Sequence, residues 1–138
     1  MTMYLDKSYK DKEAIFLKQY QPIDVIRNMP YNLGSAVKYL IKAGYADALP
    51  NYMCARDYLK EVLNENKDCC IVKLNIDARQ ALSVYVTRNK LLAKLFESWC
   101  ESLDKTKVKL AYISYKTISD VIDMLDENLK DYDEPDDE

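Results

Sequence analysis

Residues 69–74, Cys-Cys-Ile-Val-Lys-Leu, are the one stretch of this chain with strand character, and their reading decides the fold. The segment can form a short strand, because β-branched Ile71 and Val72 favour extended backbone. To either side, however, apolar residues recur at helical spacing. The expected fold is therefore all-α: a compact helical bundle of about four main helices plus one or two short helices at the N-terminus.

Downstream of that stretch, Asp77 caps or opens a long predicted helix running through Leu103. Its apolar stripe comprises Leu82, Val86, Leu91, Leu92, Leu95, Phe96 and Trp99, with Trp99 expected to anchor the core or a contact between copies. Residues Val108–Tyr132 carry a second stripe, Tyr112, Tyr115, Ile118, Val121, Ile122, Leu125 and Leu129, which Ser114 and Ser119 do not interrupt. Upstream, the polar interval Asn64–Asp68 ends a helix that begins at Pro50. Over Tyr31–Ala43, Leu33, Ala36, Val37, Leu40 and Ile41 fall at 3-4-3 spacing. Asn32 is placed to cap this helix and Gly44 to follow its end. Lys12–Gln21 and Pro22–Asn28 read as two short helices, the second closed by Pro30.

Composition narrows the function classes. The chain has 138 residues, 49% hydrophobic and 31% charged, enough for one folded domain. It contains no histidine, which excludes Ser-His-Asp and Cys-His relays and His-ligated metals. The two glycines, Gly34 and Gly44, form no phosphate-binding loop of the GxxxxGK[ST] or GxGxxG kind. Cys54, Cys69, Cys70 and Cys100 make no CxxC pair and read as reduced, mostly buried thiols. No apolar run is long enough to span a bilayer, and MTMYLDKSYKDKEAIF lacks the apolar core of a signal peptide. The expected setting is cytoplasmic, with no membrane contact. Six of the 23 acids lie in the last eight residues, so residues 1–130 hold 20 bases against 17 acids. The organisation expected is a single helical domain over residues 1–130 and an acidic, disordered tail over 131–138.

Among residues that can carry chemistry, Lys38 and Lys42 stand one helical turn apart, a two-ammonium clamp suited to a phosphate. Arg27 can add a bidentate donor, and Gly34 leaves the backbone bare for a close approach. Five tyrosines, Tyr31, Tyr39, Tyr45, Tyr52 and Tyr58, crowd the same region. They can stack on a base or seal a seam between helices or copies, which is the basis for expecting a homo-oligomer. Of the carboxylates at Asp57, Glu61 and Glu65, and at Asp120, Asp123, Asp126 and Glu127, only the Asp120/Asp123 pair comes near the tight spacing of a Mg²⁺ site, and no metal or other cofactor is expected.

The run Ile23-Asp24-Val25-Ile26, Tyr31-Asn32-Leu33-Gly34, Ala36-Val37-Lys38-Tyr39-Leu40, Lys42-Ala43-Gly44, then Ala55 and Tyr58-Leu59, resembles the SaV-like family of small phage proteins. The match covers residues ~20–63. One coliphage member of that family is a nucleotide kinase without a P-loop. The resemblance implies a nucleotide or phosphate ligand near Asn32, Lys38 and Lys42. Lys42 stands where the family has Arg, Tyr45 where it has a basic residue, and no histidine precedes Ile23, so binding rather than turnover is what carries over.

The expected function is thus a phage-type cytosolic protein that binds a nucleotide or related phosphorylated small molecule, with nucleotide kinase activity as its extension. The ligand-binding set is Arg27, Asn32, Gly34, Lys38, Tyr39, Lys42 and Tyr45, with Tyr39 or Tyr45 stacking; no catalytic residue is assigned. The alternative is a non-catalytic phage protein whose acidic tail and tyrosine-rich surface inhibit a host defence or nucleic-acid-processing factor.

Overall fold

The computed structural model describes residues 25–45, 47–104 and 107–130. The predicted helix Lys12–Gln21, most of Pro22–Asn28 and the acidic tail lie outside that range. Helix α1 spans Tyr31–Ala43 and α2 spans Ala48–Leu63; they pack on each other more extensively than any other pair. Strand β1, Cys69–Lys73, follows, then α3 over Ile76–Arg88, α4 over Lys90–Leu95 and the single turn α5 over Glu97–Cys100. Strand β2, Leu110–Ser114, and α6, Tyr115–Leu129, complete the described chain.

The all-α expectation is overturned. The protein is largely helical, but β1 and β2 form a two-stranded antiparallel sheet with Ile71 opposite Tyr112. Each strand alternates between a buried and an exposed face, as extended backbone must. Cys70, Val72, Ala111 and Ile113 turn inward, while Ile71, Leu110 and Tyr112 turn outward. Because the outer face is also apolar, the period of two never shows in the sequence. Tyr112, Tyr115 and Ile118 then imitate a helical stripe across the real boundary. Ser114 marks that boundary: its hydroxyl accepts from the Thr117 N–H at 3.0 Å and caps α6. The serine read as no interruption is where the strand stops and the helix starts.

The long helix expected from Asp77 to Leu103 is also broken. Asn75 caps α3, accepting from the Ala78 N–H at 2.8 Å, and Asp77 sits in the first turn. At Asn89 the backbone is extended, with φ −139° and ψ 111°. The Asn89 side-chain oxygen accepts from the N–H groups of Leu91 and Leu92, at 2.9 and 3.1 Å, and starts α4. A second break at Phe96 separates α4 from α5. The two breaks let Leu91, Leu92, Leu95, Phe96 and Trp99 all be buried, where one straight rod would carry its end away from the core. Lys94 ties this corner together, meeting Glu97 at 3.1 Å and Asp120 of α6 at 3.7 Å.

Gly44 follows α1 as expected but in ordinary right-handed backbone, φ −75°. The left-handed turns fall at Asp47, φ 49°, before α2, and at Asn66, φ 58°, in the polar interval before β1. Helix α2 starts two residues earlier than Pro50, which occupies its first turn, where a missing N–H is tolerated. Among the described residues no helix is long and apolar enough to cross a membrane.

Candidate functional site

The residues that precede α1 build one wall of a cleft. Val25 and Ile26 are helical, and a turn returns the chain so that the Met29 N–H donates to the Ile26 carbonyl at 2.9 Å. Pro30, at φ −56° and ψ 153°, redirects the backbone, and α1 begins at Tyr31. Between this turn and the first two turns of α1 lies an open cleft of about 270 Å³. Arg27 and Met29 come from the turn, and Tyr31, Gly34, Ser35 and Lys38 from one face of α1 at i, i+3, i+4 and i+7.

Three of the seven expected ligand-binding residues, Arg27, Gly34 and Lys38, therefore share one cleft. Gly34 is buried in its floor; a Cβ built there would sit 3.4 Å from Met29 Cβ and 3.7 Å from Ile26 Cβ. These are ordinary contact distances, so packing alone does not demand glycine. The described lining includes two cationic side chains and two hydroxyls. Its electrostatics suit an anion.

Lys42 does not line the cleft. Its ammonium instead lies 5.5 Å from the centre of the Tyr39 ring, and the Lys38 ammonium lies 4.8 Å from the same centre. The two lysines thus converge on an aromatic face, an arrangement that stabilises cations by cation–π attraction. Tyr39 in turn stacks on Tyr58 of α2, centres 5.9 Å apart and planes 11° from parallel. Tyr31 meets Tyr58 edge-on at 5.9 Å, and their hydroxyls are 3.5 Å apart. The Tyr58 hydrogen bond, with smaller help from Ser35 and Lys38, holds the Tyr31 hydroxyl below the usual phenol range. Tyr31 is 74% exposed, so its ring stands at the mouth of the cleft.

Asn32 and Tyr45 have other neighbours. Asn32 does not cap α1; its side-chain amide donates to Glu65 at 2.8 Å, tying the start of α1 to the turn that follows α2. Tyr45 packs edge-on against Tyr85 of α3, with centres 6.4 Å apart. Ser35 was not among the expected site residues, and Tyr31 and Tyr58 stood only in the tyrosine group and the family-like run. The i, i+4, i+7 series from Tyr31 through Ser35 to Lys38 was the available signal.

Comparison with protein families, curated proteins and solved structures finds no match to this chain. The assignment therefore rests on the geometry. Among the described residues, no three cysteine or carboxylate side chains converge as a metal site. Asp126 is paired with Arg56 at 3.2 Å, and Asp120 with Lys116 at 3.2 Å.

All four cysteines are free thiols. Cys69 and Cys70 are adjacent on a strand and so face opposite sides of the sheet. Burial, followed by the Glu65 charge, pushes the Cys70 thiol above its ordinary range. The folded protein then holds that proton longer than the unfolded chain. This contribution is intact below the ordinary thiol range and is lost as pH rises from that range through the raised value. At pH 8, iodoacetamide should alkylate Cys70 at least about tenfold more slowly than Cys69, the thiolate being the nucleophile. Peptide mass spectrometry over a time course reads both rates, and equal rates would contradict the burial assigned to Cys70.

Proposed function

We propose that the cleft between the 25–30 turn and α1 captures the phosphate of a nucleotide or related phosphorylated small molecule. One observation carries this reading: Arg27 and Lys38, eleven residues apart in sequence, line the same small cleft. Arg27 offers a planar fork of donors and Lys38 a mobile point charge, the two complementary ways proteins hold phosphate. Tyr31 at the mouth offers a ring on which a base stacks, while Lys42 and Tyr39 extend the cationic surface one turn further. The resemblance of residues ~20–63 to the SaV-like phage proteins points to the same class of ligand. The reading is one of capture; it assigns no turnover.

Calorimetry with nucleoside mono- and triphosphates, and with inorganic phosphate as the minimal probe, tests it. Replacing Arg27 and Lys38 together by glutamine should weaken binding at least about tenfold, or 1.4 kcal/mol, while circular dichroism shows the helical content retained. Lys42→Gln should weaken it less. Gly34→Ala supplies a separate check: alanine favours helix over glycine by up to about 1 kcal/mol, so the fold should hold or gain slightly. The added methyl fills the cleft floor, and capture should fall. The reading is wrong if no probe binds at millimolar concentration, or if the double glutamine variant binds as the parent does.

A further inference from the structure

Among the described residues, one edge of the sheet is covered and the other is open. Leu74 N–H donates to the Lys109 carbonyl at 2.8 Å and Tyr115 N–H to the Asp68 carbonyl at 2.9 Å, which sets the phase of the ladder. Residues 70 and 72 therefore exchange their backbone bonds with β2, whereas Cys69, Ile71 and Lys73 direct theirs away from it. On the β2 side the outward Tyr112 carbonyl is covered, accepting from the Ser98 hydroxyl of α5 at 2.7 Å. On the β1 side no described element packs extensively along the strand, and Ile71 is 52% exposed in the middle of it. An apolar residue at the centre of an unprotected edge is what folded monomers avoid, since it invites another strand.

We infer that β1 is the seam of a homodimer, with a second copy adding antiparallel along the open edge and Ile71 of each copy meeting on the two-fold axis. This centring pairs the whole strand, because Cys69 then faces Lys73 of the second copy and Lys73 faces Cys69. It makes six backbone hydrogen bonds, two for each of the three facing pairs. No like charges meet, since the two Lys73 side chains lie at opposite ends of the seam. The exposed pair Ile71 and Tyr112 continues into Ile71 and Tyr112 of the second copy, giving one apolar ladder over a four-stranded sheet. A foreign peptide would have to supply the same extended backbone and an apolar residue opposite Ile71, which a second copy already carries. Since α5 covers the β2 edge, addition stops at two copies and no open filament forms.

Sedimentation across a concentration series, with hydrogen exchange on the same samples, tests the proposal on the full chain. Expected are a dimer and concentration-dependent protection of the Cys69, Ile71 and Lys73 amides. Ile71→Lys places two ammonium groups face to face and should return a monomer of unchanged helicity. Cys69→Glu places a carboxylate opposite each Lys73 of the second copy and should tighten the dimer about three- to tenfold, a gain that misfolding cannot imitate. A parent protein that stays monomeric at ~100 µM, where a specific micromolar contact would be populated, overturns the proposal. So does a dimer that leaves these amides unprotected or ignores both substitutions.

Discussion

Trp99→Ala should cost about 3–5 kcal/mol, the range for removing a fully buried large aromatic side chain. Trp99 is 1% exposed and lies in one cluster with Leu95, Phe96, Ile113 and Ile118, so its cavity would open in the core where α5 meets β2. A domain of this size has a total stability of only about 5–15 kcal/mol, so a large fraction would go. The indole N–H adds a second expectation. It is buried and meets no acceptor among the described residues, and an orphan donor costs about 1–3 kcal/mol. Trp99→Phe removes that orphan along with part of the ring, so the two changes offset, and the net loss should stay below about 1.5 kcal/mol. Urea unfolding followed by circular dichroism measures both variants. Equal losses for alanine and phenylalanine would mean that the N–H is satisfied after all.

Asn89→Ala should cost about 3 kcal/mol, summing a lost cap of about 1 and a stranded carbonyl of about 1–3. One side chain serves two helices. Its oxygen starts α4, and its amide donates at 2.9 Å to the Leu40 carbonyl, near the end of α1. That carbonyl needs the bond because Gly44 N–H turns to Ile41 instead. Asn89→Asp separates the two roles, keeping the acceptor while losing the donor and burying a charge. It should be no better than alanine at neutral pH and improve as the pH falls below the carboxylate range. If both variants melt with the parent, the two-helix role assigned to Asn89 is wrong.

The same residue shows what was legible in the sequence. The faces of α1, α2 and α6 were readable, because Leu33, Val37, Leu40 and Leu59 or Ile118, Val121 and Leu125 repeat at 3.6 with polar residues between them. The break at Asn89 was not, because Val86, Leu91, Leu92 and Leu95 keep a plausible stripe straight through it. The sheet was hidden for the opposite reason. Ile71, Leu110 and Tyr112 are apolar on its outer face, which erases the alternation a half-buried strand normally shows. In the site, the charges were legible and their company was not. Lys38 and Lys42 were readable as neighbours by spacing, but which of them joins Arg27 depends on a turn at residues 27–30 that has no periodic signal.

The two strands have a further consequence, in the order of assembly. Residues 74–109 intervene between them, so the ladder cannot zip from a tight hairpin and must wait for a long segment to close. Helices α1 and α2, separated by only a few residues, pay no such delay. Stopped-flow refolding should therefore show the helical pair gaining native contacts early and the strands registering last. A newly made chain would pass through an interval in which its helices are in place and its most aggregation-prone backbone is still uncommitted.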